Sequence, residues 1–251
     1  MVNFVGAGCG APDLITVRGA RLLEQAEVII YAGSLVNPEL LNYAAKNCEI
    51  YNSAYMNLDE VISVMVKAES EGKSVVRLHT GDTSIYSAVR EQADRLEQFG
   101  IEYNICPGVS SFCGAAASLK SEYTLPDVSQ TVIITRMQGR TAVPDKEQIA
   151  SLAAHKATMV IFLSVSMAEK LSEELIRGGY NENTPAAIVY KASWEDEIIC
   201  RCTVKTLAES AFDNNIKKTA LIVVGDFLGD NYSLSKLYDK SFETEYRRAE
   251  A

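Results

Sequence analysis

Apolar residues fall along this chain in short blocks, set apart by longer polar stretches with helical spacing, which is the rhythm of an α/β protein. Residues 1–5, 27–31, 48–52 and 100–105 read as strands, and Gly72-Lys73-Ser74-Val75-Val76 is a turn followed by a further short buried strand. Helical spacing predicts helices over 14–25, 37–45, 58–71 and 84–99, the second opened by Pro38 at its first position. Small residues at 113–117 predict one more. A polar stretch at 118–127, containing Pro126, then interrupts the pattern. Beyond it, strands are expected over 130–135, 157–163, 186–190, 197–203 and 220–224, with helices over 146–154, 167–177 and 204–214. Gly178-Gly179 would stop the second of these helices. The strands at 185–190 and 198–203 follow closely enough to suggest antiparallel pairing. The pattern therefore gives two α/β domains, 1–120 with a mainly parallel sheet and 121–251 with a mixed one. The charged end, 237–251, reads as a mobile tail or as an arm docked on a partner.

The stretch around which the chain is organised is Arg77-Leu78-His79-Thr80-Gly81-Asp82-Thr83-Ser84-Ile85-Tyr86. It carries the chain from a buried strand into the helix expected at 84–99. Ligands of open α/β sheets bind outside such strand ends. Gly81 admits close approach to the backbone, and Asp82 accepts hydrogen bonds. The alternative is that Asp82 and Ser84 simply cap the helix. A second glycine stretch, Gly6-Ala7-Gly8-Cys9-Gly10-Ala11, fits the dinucleotide pattern G-x-G-x-x-[GA]. Against a nicotinamide or flavin site, Pro12-Asp13 interrupts the point where the phosphate-binding helix would open. The second strand also ends in Tyr31-Ala32-Gly33-Ser34, without the acid that holds a ribose. Ser110 and Ser111 stand at a further strand end, as caps or as ligand contacts.

The net charge of −9 argues against a nucleic-acid or anionic-membrane surface and leaves room for a local basic pocket. No apolar run approaches the length of a membrane span, and Met1-Val2-Asn3-Phe4-Val5 does not resemble a leader, so a cytoplasmic protein is expected. Six cysteines without a C-x-x-C pair, and two distant histidines, predict no metal site and free, buried thiols.

The chain resembles the tetrapyrrole (precorrin) methyltransferases of corrin biosynthesis over nearly its whole length. The residues that carry the resemblance are Phe4–Gly8 through Asp13-Leu14-Ile15-Thr16, Tyr31-Ala32-Gly33-Ser34-Leu35-Val36, His79-Thr80-Gly81-Asp82 and Pro107-Gly108-Val109-Ser110-Ser111. To these belong Thr135-Arg136 with Gly139-Arg140-Thr141, and Tyr190-Lys191-Ala192-Ser193-Trp194. The segments 31–36 and 136–140 resemble the branch that methylates ring carbon C11. The resemblance implies two α/β domains of the tetrapyrrole methylase fold, with S-adenosyl-L-methionine in the cleft between them. It implies cofactor contacts from Thr80, Gly81, Asp82, Ile85, Ser110, Ser111, Leu163, Tyr190, Ala192 and Ala220. Gly8, Cys9, Tyr31, Arg136 and Arg140 would face the tetrapyrrole, and the protein would be a homodimer. Arg77 and Lys191 are further candidates to clamp substrate carboxylates. No general base is assigned. Cys9 and Thr83 stand where the family usually has Pro, and Ser87 where it usually has Gly. A cobalt-bearing or metal-free substrate, another ring position, a nicotinamide-dependent oxidoreductase and a non-catalytic tetrapyrrole carrier remain alternatives.

Overall fold

Five short runs pair into an all-parallel sheet, and Val, Ile and Phe concentrate in the inner three: β1 (Val2–Gly6), β2 (Val28–Tyr31), β3 (Glu49–Asn52), β4 (Val75–His79) and β5 (Tyr103–Cys106), in the order β3-β2-β4-β1-β5. A parallel sheet needs cover on both faces, and alternation along the strands supplies it. Val2, Phe4, Val28, Ile30 and Val75 face one way, against Val61, Ile62 and Met65 of α2 (Leu58–Ser70) and Val89 and Leu96 of α3 (Val89–Gln98). Val5, Ile29, Val76 and Leu78 face the other way, against Ile15 and against Leu23 of α1 (Val17–Gln25). Because all five strands run the same way, Gly6, Tyr31, Asn52, His79 and Cys106 end on one edge. From that edge the chain leaves β5 and enters α4 (Ser111–Leu119).

The second sheet is mixed. It holds β6 (Val132–Arg136), β7 (Thr158–Phe162), β8 (Pro185–Tyr190), β9 (Ile198–Thr203) and β10 (Ala220–Val224), in the order β6-β7-β10-β8-β9. β6 and β7 are parallel, and β10 runs antiparallel to both β7 and β8. Met159, Ile161, Ile188 and Ile222 form its core with Ile149 of α5 (Ile149–Ala153), Leu171 and Leu175 of α6 (Ala168–Arg177) and Leu207 of α7 (Leu207–Asp213).

This computed structural model describes residues 1–249. It separates into two units, Met1–Ser118 with Lys191–Ile198, and Leu119–Tyr190 with the chain from Ile199 onward. Several element boundaries differ from the sequence expectation. The helix expected at 37–45 is a 3-10 segment, Pro38–Tyr43, and α1 begins at Val17, where Thr16 accepts the Gly19 N–H as N-cap. The helix expected at 146–154 is α5 preceded by a 3-10 turn. The cysteines are free but not all buried: Cys113 is exposed, and Cys48 and Cys202 are half-buried. A single 3-10 turn, Lys236–Tyr238, is the regular structure described in the charged tail, whose last positions, Glu250 and Ala251, lie outside the described residues. Among the described residues no helix is long and apolar enough to cross a membrane.

Candidate active site

β4, β1 and β5 are neighbours, so the loops leaving their C-terminal ends must share one space. Glycines let them do so. A Cβ on Gly6 would lie 2.6 Å from the Gly108 nitrogen, and one on Gly108 would lie 2.2 Å from the Gly81 oxygen. Gly8 and Gly81 bond each other in both directions, N–H to carbonyl, at 3.2 and 3.0 Å. Gly81 holds φ +64°, a conformation that side chains with a Cβ rarely adopt. This junction brings Gly8 and Cys9 of the first loop to Thr80–Asp82 of the second and to Ser110 and Ser111 of the third.

Asp82 fastens the junction. Its Oδ2 accepts the Gly108 N–H at 2.8 Å, and its Oδ1 accepts the Ser84 N–H at 2.9 Å together with the Ser84 hydroxyl. Burial by itself would raise this carboxyl's pKa. The bonds from Ser84, the Gly108 N–H and Thr83 outweigh burial and hold it below its ordinary value. Asp82 closes an Asx turn and caps no helix. The helix expected from Ser84 begins only at Val89, because Tyr86 and Ala88 both take φ +53° and helical bonding cannot pass through them. Ile85 is half-buried in this irregular segment. Thr83, where the family usually has Pro, is buried, and its carbonyl accepts the Ser87 hydroxyl.

The Thr80 Oγ1 is enclosed and has no hydrogen-bond partner among the described residues, an arrangement that costs free energy unless a ligand completes it. Ser110 is buried, and its carbonyl receives the N–H groups of Cys113 and Gly114 in the first turn of α4. These are donor and acceptor groups suited to a polar small molecule, and they fit the amino-acid and hydroxyl functions of S-adenosyl-L-methionine.

In the same unit, Ala192 and Cys9 are buried and Tyr31 is half-buried at the end of β2. Cys9 Sγ lies 3.4 Å from Ser193 Oγ, which also accepts the Ala11 N–H at 3.0 Å. A Cβ at Gly10 would meet Trp194 Cδ1 at 2.2 Å. The segment Lys191–Ile198 thus packs directly on the first glycine loop. Ten residues, 7–16, separate β1 from α1, so that loop opens no α-helix of the dinucleotide-binding kind.

In the second unit the candidates also gather at one end of a sheet. Ala220 pairs with Tyr190, Ile222 pairs with Ile161, and Arg136 pairs with Phe162. That register sets Leu163, two residues past Ile161, at the same end as Ala220, Tyr190 and Arg136. Leu163 is exposed and holds φ +53°, a strained state of the sort found at ligand sites. Arg136 directs its guanidinium to carbonyls of its own loop, reaching Thr141 at 3.3 Å and Ala142 at 2.7 Å. Arg140 stands exposed in that loop.

Two further basic candidates have partners within the protein. Arg77 is buried on the inner face of β4, where its Nε donates to Gln92 Oε1 (3.0 Å) and its Nη1 to the Ile30 carbonyl (3.2 Å). Burial lowers its pKa to about 10. Gln92 Nε2 in turn donates to the Ala88 carbonyl at 3.1 Å, so Arg77 supports the start of α3 from beneath. Lys191 pairs with Asp196 at 2.5 Å and lies 4.9 Å from the centre of the Trp194 ring. The sequence reading missed Gln92 and Glu197. A polar residue in the apolar face of the helical pattern is the signal that marks Gln92.

Two α/β units, the first fully parallel and the second mixed, with glycine-packed loops at the strand ends, define the class. The chain belongs to the Tetrapyrrole (Corrin/Porphyrin) Methylases, whose sequence model matches residues 1–208. Among its relatives is the cobalt-precorrin-4 C(11)-methyltransferase of Methanocaldococcus jannaschii, 61% identical over 249 residues, covering 99% of this chain and 96% of the relative. The X-ray structure of a cobalamin biosynthetic enzyme, cobalt precorrin-4 methyltransferase, superposes with a TM-score of 0.89 at 45% identity, over 91% of this chain and 96% of that one. A uroporphyrin-III C-methyltransferase from Thermus thermophilus, solved with S-adenosylhomocysteine, shares the fold at a TM-score of 0.75 and 24% identity, over 90% of this chain and 92% of that one.

Proposed function

We propose that this protein transfers a methyl group from S-adenosyl-L-methionine to C11 of cobalt-precorrin-4, giving cobalt-precorrin-5A in cobalamin biosynthesis. The observation that carries the reading is 61% identity across nearly the whole chain to an enzyme of that name. The glycine-packed junction and the unpartnered Thr80 hydroxyl support it from the geometry.

In this reading Thr80, Gly81, Asp82, Ile85, Ser110, Ser111, Leu163, Tyr190, Ala192 and Ala220 hold the cofactor, as the resemblance to the family implies. When bound, S-adenosyl-L-methionine supplies an electrophilic methyl group on a sulfonium, which leaves as a neutral thioether and needs no acid. The task of the protein is alignment and exclusion of water. Asp82 sets the shape of the second loop and accepts from the cofactor's amine or hydroxyl groups. Gly8, Cys9 and Tyr31 line the tetrapyrrole side. Arg136 holds its own loop in shape so that Arg140 can meet a substrate carboxylate. Cobalt travels with the substrate. The same reading carries the expectation of a cytoplasmic homodimer, and sedimentation velocity reads out the dimer.

Calorimetric titration with S-adenosylhomocysteine, with NAD as control, tests the assignment. Binding of the first alone, weakened in Asp82→Ala, agrees with it. Binding of NAD alone returns the chain to the oxidoreductase reading.

A further inference from the structure

We infer that Glu197 is a positioning residue that fixes the cofactor-side residue Ala192 relative to the substrate-side loop Gly8–Ala11, with Ser193 as the relay. The inference rests on the methyltransferase reading above for what those two segments bind.

The segment 191–198 is held in a backbone conformation it would not choose. Lys191 takes φ +48° and Ser193 φ +66°, both left-handed and neither a glycine. Strain of this kind persists only where surrounding contacts over-determine it, and it concentrates at ligand clamps. Glu197 makes those contacts. Its Oε2 accepts the Ser193 N–H at 2.6 Å and the Ser118 hydroxyl of α4 at 2.5 Å. Charge-assisted bonds of this length are the strong ones. The turn is closed further by Trp194 N–H to the Lys191 carbonyl (3.0 Å) and Glu197 N–H to the Trp194 carbonyl (3.2 Å).

With its amide held by Glu197, Ser193 presents its hydroxyl to the first glycine loop. That oxygen accepts the Ala11 N–H at 3.0 Å and touches Cys9 Sγ at 3.4 Å. Beside it, an added Cβ on Gly10 would lie 2.5 Å from the Ala192 carbonyl, so Ala192 and the loop are in direct contact. One carboxylate therefore ties α4, the turn that carries Ala192 and the loop that carries Gly8 and Cys9 into a single frame. Methyl transfer depends steeply on the distance between donor and acceptor, and a small misplacement lowers the rate without removing a reacting group. Glu197 touches neither ligand in this account; it acts through Ser193.

The test pairs Glu197→Ala with Glu197→Gln, since the amide keeps a carbonyl oxygen able to accept both bonds. Amide hydrogen exchange at Ala11, which Glu197 does not contact, is the decisive readout. We expect it to quicken about ten- to a hundredfold in Glu197→Ala and to return to within about threefold of wild type in Glu197→Gln. Affinity for S-adenosylhomocysteine and kcat should fall by about tenfold or more in the first variant and recover in the second. Ser118→Ala, which removes the bond from α4 to Glu197 together with a bond to the Gly114 carbonyl within the helix but leaves the Ser193 N–H bond to Glu197, gives an intermediate effect and serves should Glu197→Ala not fold. Unchanged exchange at Ala11 in Glu197→Ala, or a Gln variant as impaired as the Ala variant, overturns the relay. If the wild type itself binds no S-adenosylhomocysteine, the methyltransferase reading falls, and the exchange measurement still decides whether the relay exists.

Discussion

Asp82 Oδ2 accepts the Gly108 N–H at 2.8 Å, and through that bond the loop after β4 is joined to the loop after β5. The two residues are far apart in sequence and meet only because β1, lying between their strands, leaves by a glycine loop that occupies almost no space. Asp82→Ala removes this bond and the Asx turn to Ser84 together. We expect a loss of about 1–3 kcal/mol of stability and at least a tenfold weaker affinity for S-adenosylhomocysteine. Thermal melts and calorimetry on the same preparation check both.

Close approach and backbone conformation can be separated at two glycines. Gly108→Ala would drive a Cβ to 2.2 Å from the Gly81 oxygen, and a cost of about 3 kcal/mol or more is expected, with loss of cofactor binding. Gly100 has φ +67° and open space around it, so Gly100→Ala should cost only about 1–2 kcal/mol and leave binding intact. Chemical denaturation of both variants gives the comparison.

His79 sits buried on β4, its ring centroid 5.9 Å from that of Phe4 and its Nε2 without a hydrogen-bond partner among the described residues. Burial, with the charge of Arg77 adding to it, lowers its pKa to about 3 from the ordinary 6.5. Between those two values the unfolded chain binds the proton and the folded chain does not. The contribution of His79 to stability is therefore complete above about pH 6.5 and lost progressively as pH falls toward 3. Of the order of 2 kcal/mol should go between pH 6.5 and 5. Subtracting the pH–stability curve of His79→Gln from that of wild type isolates this slope; parallel curves would contradict the buried, neutral imidazole.

Arg77 and Arg140 should separate support of the fold from contact with substrate. Arg77→Met leaves Gln92 Oε1 without its donor and is expected to cost about 1–3 kcal/mol, with KM for the tetrapyrrole within about twofold of wild type. Arg140→Ala should leave the melting temperature unchanged and raise that KM about tenfold by removing one carboxylate contact. Steady-state kinetics beside thermal melts reads both.

Much of the fold was legible in the sequence because apolar alternation records which strand faces are covered. Each run from Val2–Gly6 to Ala220–Val224 announced a strand, and Pro126 fell in the stretch that leads into the second sheet. The start of α3 was not legible. Ile85, Ala88 and Val89 have helical spacing, yet the Asx turn of Asp82 and the left-handed Tyr86 and Ala88 delay the helix to Val89. Periodicity carries no record of such tertiary bonds. Arg77 gave no sign of burial for a similar reason. Its partner, Gln92, lies fifteen residues away on a helix, and only the packing of α3 on β4 brings them together. Glu197 entered the sequence pattern only as the first residue of the strand expected at 197–203, and its role depends on contacts from α4 and Ser193.

The central claim is methylation at C11, and the most direct test is transfer of a 13C-labelled methyl group. Purified protein, S-adenosyl-L-methionine labelled in the methyl carbon, and cobalt-precorrin-4 are incubated, and the product is examined by NMR, with metal-free precorrin-4 in parallel. The account predicts a single labelled methyl on C11, formed faster with the cobalt substrate. A labelled methyl at another ring carbon, or no transfer by a protein that binds S-adenosylhomocysteine, would contradict it.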